Sequence, residues 1–161
     1  MPARNSNETT KVALHLERYV PGLVLWLSNK LAGSASQIYR KRFGVGIVEW
    51  RILAYLAVYD KGTGAQMSQL MGMDKAAISR SASFLQAQKM VVGRQGVGRN
   101  LEFKLTPKGR KLHDRMLPLA LARERTLLTG LNEKDVRTLL GYLHVLLNNL
   151  SAVEAIDSSK Y

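Results

Sequence analysis

The chain has 161 residues, 46% of them hydrophobic, enough to bury a sizeable core within one domain, and its formal net charge is +12. It contains no cysteine, which excludes disulfides, thiolate metal sites and a thiol redox switch. No apolar run is long enough to span a bilayer, since Gly33, Ser34, Ser36, Gln37 and Arg40 interrupt the most hydrophobic region; residues 1–11 are polar with no signal core, so a soluble, cytoplasmic protein is expected.

In chain order, residues 1–11 read as a flexible arm and residues 155–161 as a flexible tail. A short helical turn is expected over 12–19. Pro21 suits the first turn of a longer helix that runs to about Arg42, because its missing N–H has no intrahelical partner to lose. Two stripes on that helix, one through Leu23, Leu27, Leu31, Ala35, Ile38 and Arg42 and one through Trp26, Asn29, Gly33 and Gln37, predict two packing partners. Residues 44–46 break the helix. A 3.6-residue period then resumes through Ile47, Trp50, Leu53, Ala54 and Ala57, and 60–64 reads as a turn.

The most informative stretch is 65–106. A short helix with Met67, Leu70 and Met71 inward leads through Gly72 and Met73 to Asp74, a candidate N-cap. The helix after it buries Ala77, Ile78, Ala82, Leu85 and Met90 and leaves Lys75, Ala76, Ser79, Arg80 and Ser83 on its open side. From Val91 the period changes to two, and Leu101, Phe103 and Leu105 alternate with Glu102 and Lys104 around a glycine-bearing basic tip. Helix, capped helix and basic hairpin in this order form a winged helix-turn-helix. Thr106 then caps a helix with Pro107 at its first position, which Pro118 is expected to kink after Leu117. Asn132 caps a last helix whose Val136, Leu139, Leu140, Leu143, Leu146, Leu147 and Leu150 need an apolar partner, and a second copy of the chain is the simplest one.

The charge follows this layout. Residues 61–115 carry a net +8, residues 1–60 a net +4, and residues 116–161 balance at zero. A basic surface attracts polyanions, nucleic acid or an anionic membrane. A membrane-surface protein needs a basic amphipathic helix, whereas the basic residues here lie on a short polar helix face and a hairpin, as a phosphate-facing surface requires.

These residues resemble the MarR family of bacterial transcription regulators over about 16–150. The resemblance is carried by Phe43-Gly44-Val45 with Glu49-Trp50-Arg51-Ile52-Leu53, by the helix from Asp74-Lys75 to Ser79-Arg80, and by Leu105-Thr106-Pro107-Lys108-Gly109-Arg110. It implies a mostly α fold with a small β-hairpin wing (α+β): six helices and a hairpin in a single domain. Residues 12–46 and 107–154 would be dimerisation helices and residues 47–106 the winged helix-turn-helix. The implied homodimer would read double-stranded DNA at an inverted repeat with half-sites about 10 bp apart, most often as a repressor released by a small aromatic or phenolic effector. The family's wing usually carries an Asp-Arg pair, and here those positions are Gly98-Arg99, so the arginine is present without the carboxylate that would orient it.

Lys75, Arg80, Arg94, Arg99 and Lys104 are candidates for phosphate or minor-groove contact, with Asn100 beside them, and Ala76, Ser79 and Ser83 for base edges or a thymine methyl group. Arg80 pairing inside the module is the bland alternative. Gln66 and Ser68 are candidates for phosphate contact, with helix capping nearly as good an account. For an effector pocket, His15, Arg18, Tyr19, Trp26, Tyr39, Arg51 and His113 offer aromatic walls with polar or cationic handles; Trp50 reads as core, and Tyr39 has a core reading too. The histidines lie far apart without cysteine, so neither a metal nor another cofactor is expected. No nucleophile elbow, phosphate loop or metal signature supports an enzyme. The rival reading is an architectural DNA-binding protein that no ligand releases.

Overall fold

A computed structural model describes residues 13–96 and 101–160, which form two compact units, one ending at Met116 and the other beginning at Leu117.

The first unit opens with a single 3-10 turn, Leu16–Arg18, in place of the longer turn expected over 12–19. Helix α1, Val20–Phe43, has Pro21 in its first turn and stops at Gly44, whose φ of +74° only glycine adopts without strain. Helix α2, Ile47–Tyr59, begins after Gly46, which has no side chain to cap with; Glu49 compensates, its Oε2 accepting from the Gly46 N–H at 2.7 Å. Ile52, Leu53 and Leu56 of α2 are completely buried and form the centre of this unit with Met67, Ile78, Leu85 and Met116.

The segment expected to be a turn at 60–64 is largely a strand, β1, Lys61–Thr63. The reversal is compressed into Asp60, which takes φ +65° and whose carboxylate accepts from Lys104 Nζ at 3.1 Å. Gly62 then lies against the Tyr55 ring so closely that a β-carbon would collide with it, and pairs with Phe103 in the sheet. A glycine that looked like a loop residue is a close-approach residue in a strand.

Helices α3 (Gly64–Met71) and α4 (Lys75–Ala87) follow, then β2 (Val91–Gln95) and β3 (Leu101–Leu105), in an antiparallel sheet of order β1-β3-β2. Ile78, Ala82 and Leu85 of α4 are buried as the periodicity predicts, while Ala77 and Met90 are only half-buried. Lys89 ends α4 in a left-handed conformation, φ +57°, and the chain is then tied to helix α5, Pro107–Leu127. Thr106 Oγ1 donates to Lys89 O at 2.7 Å and accepts from the Gly109 N–H at 3.1 Å. Gly109 packs directly on the Met90 carbonyl, where no side chain fits. Helix α5 continues through Pro118.

In the second unit, Asn132 accepts from the N–H groups of Lys134 and Asp135 and starts α6, Glu133–Asn148, followed by α7, Leu150–Glu154. No residue of α6 is buried, and Leu139, Leu143, Leu146 and Leu150 form one exposed stripe.

Replacing Leu56 by Ala removes a side chain with no solvent contact and is expected to cost ~2–5 kcal/mol of stability. Urea denaturation checks this, and a loss smaller than ~1 kcal/mol would show that the site collapses around the missing atoms.

Candidate nucleic-acid interface and ligand cavity

Helices α3 and α4 form the helix-turn-helix, and hydrogen bonds set each of its joints. Thr63, the last residue of β1, caps α3: its Oγ1 accepts from the Gln66 N–H at 3.2 Å, and Gln66 Oε1 accepts from the Thr63 N–H at 2.8 Å. Gly72 ends α3 with φ +60°. Met73 is then clamped to Ser68 twice, by its N–H to Ser68 O at 3.1 Å and by Ser68 Oγ donating to Met73 O at 2.6 Å. Asp74 Oδ2 accepts from the Ala77 N–H at 2.9 Å and starts α4.

The inner side of α4 is held from α2. Ser81 is buried and its hydroxyl donates to Glu49 Oε1 at 2.6 Å, so both carboxylate oxygens of Glu49 are used, one on the Gly46 N–H and one on α4. Ser81 was not singled out from the sequence, where a serine on a polar helix has no mark of burial, and Glu49 entered only as part of the motif that carries the resemblance.

The outer side of α4 carries Lys75, Ala76, Ser79, Arg80 and Ser83, all exposed as the periodicity predicts. Arg80 has no ion-pair partner among the described residues. Lys75, Ser79 and Ser83 line a cleft of about 270 Å³ together with Gln86 of α4, Thr63, and Leu101 and Phe103 of β3. Gln86 was missed although it falls on the Ser79–Ser83 stripe at helical spacing. The cleft therefore lies between α4 and the hairpin, with small polar side chains on the helix and apolar ones on the sheet.

The other predicted contacts divide. Arg94 on β2 is exposed and stands opposite Glu102, which pairs with Lys61 at 3.1 Å. Lys104 is paired with Asp60, and Gln66 is committed to capping. Ser68 is buried and bound to Met73, which makes its hydroxyl a staple of the turn. Gly98, Arg99 and Asn100 lie outside the described residues.

The predicted pocket residues also separate. Trp50 stacks on His113 with ring centres 5.4 Å apart and an interplanar angle of 10°, and Tyr39 meets Trp50 edge-on at 5.9 Å. Tyr39 and His113 are buried, and His113 Nδ1 lies 2.8 Å from Asp114 Oδ1. This is a packed aromatic joint between α1, α2 and α5. On the far side of Trp50 is a cavity of about 450 Å³ lined by Ser28 of α1, by Trp50, Arg51, Tyr55 and Tyr59 of α2, and by Leu70 and Met71 of α3. Leu70, expected in the core, is exposed beside it. Arg51 is the one cationic group in that lining, and its Nη1 donates to the sulfur of Met73 at 3.4 Å, a weak acceptor for a guanidinium. His15, Arg18, Tyr19 and Trp26 are exposed and outside the cavity; the rings of Tyr19 and Trp26 instead close over Gly22.

Comparison with solved structures identifies the architecture. No protein-family model matches the chain, and no curated protein does. Many solved MarR-family transcriptional regulators share its fold. A MarR/EmrR-family regulator from Acinetobacter sp. ADP1 superposes with a TM-score of 0.79 at 27% identity, covering 86% of this chain and 99% of that one. MepR of S. aureus, solved as a DNA complex, has a TM-score of 0.69 at 20% identity over 80% of this chain and 95% of its own. BpsR of Bordetella bronchiseptica, whose structure concerns regulation of its DNA binding by 6-hydroxynicotinic acid, has a TM-score of 0.64 at 19% identity, over 77% of this chain and 98% of its own. The fold is the winged helix of MarR-like regulators, as the sequence resemblance implied.

Asp74→Ala removes the carboxylate that starts α4 and is expected to cost ~1 kcal/mol. Asp74→Asn should recover most of that loss in thermal denaturation, because the amide oxygen still accepts from the Ala77 N–H. Equal losses in the two variants would mean that the charge, not the cap, is what matters.

Proposed function

We propose that this protein is a DNA-binding transcriptional regulator, not an enzyme, that acts as a homodimer and is released from an inverted-repeat operator by a small aromatic or phenolic ligand, carboxylates included. The observation that carries the reading is α4: a helix with a buried, hydrogen-bonded inner side and an outer side of small polar and cationic residues, flanked by a basic hairpin. Side chains of that size allow close approach to base edges in the major groove, and Lys75, Arg80 and Arg94 supply phosphate contacts.

Two further observations support the finer parts. The apolar residues of α1 (Leu23, Val24, Trp26, Leu27) and, separately, those of α6 are exposed in a single chain, which favours a second copy as their cover. A cavity with aromatic walls and one weakly partnered arginine suits a flat ligand with an anionic group. BpsR, similar in fold only, is regulated by such a molecule. Release follows if the ligand favours a spacing of the two DNA-reading modules that does not match successive major grooves. Hundredfold release requires differential binding of about 2.7 kcal/mol, within the usual range of coupling energies.

The test is a gel shift on the DNA flanking the protein's own gene, with and without a panel of aromatic acids, accompanied by sedimentation to fix the oligomeric state. Arg80→Ala is expected to flatten the slope of log affinity against log salt by about 1.8, the share of one phosphate for each protomer of the dimer, while Ser79→Ala changes base preference and leaves that slope alone. Arg51→Ala is expected to leave DNA affinity intact and raise the ligand concentration needed for release. A complex that no small molecule dissociates would support the architectural alternative, and a monomer that binds single half-sites would remove the inverted repeat.

A further inference from the structure

Arg40, Lys41 and Arg42 form the last turn of α1, and all three are exposed. Cations at a helix C-terminus are favourable in themselves. Their surroundings point further. Arg40 Nε donates to Ser36 Oγ at 3.3 Å and the Arg42 guanidinium lies 5.6 Å from the centre of the Phe43 ring. None of the three forms an ion pair among the described residues, whereas Lys61 and Lys104 on the sheet each have a carboxylate. The acid next along the chain, Glu49, has both oxygens engaged by Gly46 and Ser81.

Those same bonds fix where the basic turn sits. Glu49 holds the α1–α2 junction at Gly46 with one oxygen and the inner side of α4 at Ser81 with the other. Arg40 packs on that junction: a methyl group on Gly46 would meet its Nη2 at 3.1 Å. Successive residues of α4 step by about 100°. Turning away from Ser81 on the side opposite the hairpin cleft, one passes Ala77 and Phe84, then Arg80 and Ala76, then Ser79 and Ser83, and finally reaches the cleft. The open face of α4 is therefore bounded by the hairpin on one side and by the α1–α2 junction on the other.

A helix lying in a major groove about 12 Å wide has a phosphate strand on each side. The hairpin side accounts for one. We infer that Lys41 and Arg42, braced by Arg40, bind the phosphates of the other strand, so that α4 is clamped from both edges of the groove. This rests on the DNA-binding reading above, and it adds contacts from a helix that the sequence marks only as a dimerisation element.

The probe is a mixed-sequence B-DNA duplex about 30 bp long, room for two half-sites a helical turn apart, titrated with the full chain across salt concentrations. The doubly substituted K41A/R42A protein, bound as a dimer, is expected to lose about 3.6 from the slope of log affinity against log salt, about 1.8 for each protomer. The affinity lost between ~50 and ~200 mM salt would then shrink by about a hundredfold. K41R/R42K keeps both charges and should keep the slope. R125A/K134A removes the same net charge elsewhere and should keep it too. If K41A/R42A leaves the slope of a DNA-binding wild type unchanged, or if R125A/K134A lowers it equally, the second clamp is wrong while the reading of α4 stands. If the wild type binds no duplex even at low salt, the reading and the clamp fall together.

Discussion

A helix that reads another molecule must leave one face bare and still be held in a single orientation. The carboxylate of Glu49 meets that requirement here. One oxygen stands in for the missing cap at Gly46 and the other accepts from Ser81, so the start of α2 and the inner side of α4 share one anchor. Hydrogen bonds to a charged acceptor are stronger and more directional than apolar contact, which fixes the rotation of α4 about its own axis as well as its depth. The segment just past α4 is tied by Thr106, whose hydroxyl joins the Lys89 carbonyl to the first turn of α5. With rotation set at its middle and position set beyond its last turn, α4 leaves Ser79, Arg80 and Ser83 on its open side.

Much of this was legible in the sequence because it follows from short-range chemistry. The caps at Asp74 and Asn132, the glycine stops at Gly44 and Gly72 and the alternation in 101–105 act within a few residues, and each falls where expected, whereas the end of α4, expected near Met90, comes at Ala87. The misses involve partners distant along the chain. Gly62 reads as turn chemistry until the Tyr55 ring and Phe103 are known to press on it. Ser81 reads as a surface residue because its acceptor lies 32 positions away. Lys104 and Ser68 were offered for DNA contact from residue type and place in the module, and each has an intramolecular partner that neither could reveal.

The aromatic candidates show the same limit. The sequence listed rings and cations without a spacing to join them. Packing sorts them: Tyr39 and His113 are buried against a half-buried Trp50, and Trp50 and Arg51, the next residue, form the aromatic and charged wall of a cavity. Adjacent residues on a helix point about 100° apart, so one turn of α2 serves two environments. The cavity's other walls, Tyr55, Tyr59, Leu70 and Met71, had been counted as core or passed over.

That arrangement bears on how a bound molecule would be felt at α4. Glu49, Trp50 and Arg51 are consecutive, so the cavity wall and the anchor of α4 are parts of one helical turn. Arg51 also reaches Met73 in the turn between α3 and α4, and Met73 is held to α3 by Ser68 on both its backbone groups. A thioether competes poorly with a carboxylate for a guanidinium. On the proposed function, an anionic ligand in the cavity would draw on an arginine whose present partner is weak and sits directly before the cap of α4, and whose helix carries the other anchor. Coupling of this kind needs no long chain of intermediates, because the two holds on α4 and the ligand's polar handle share a single turn of α2.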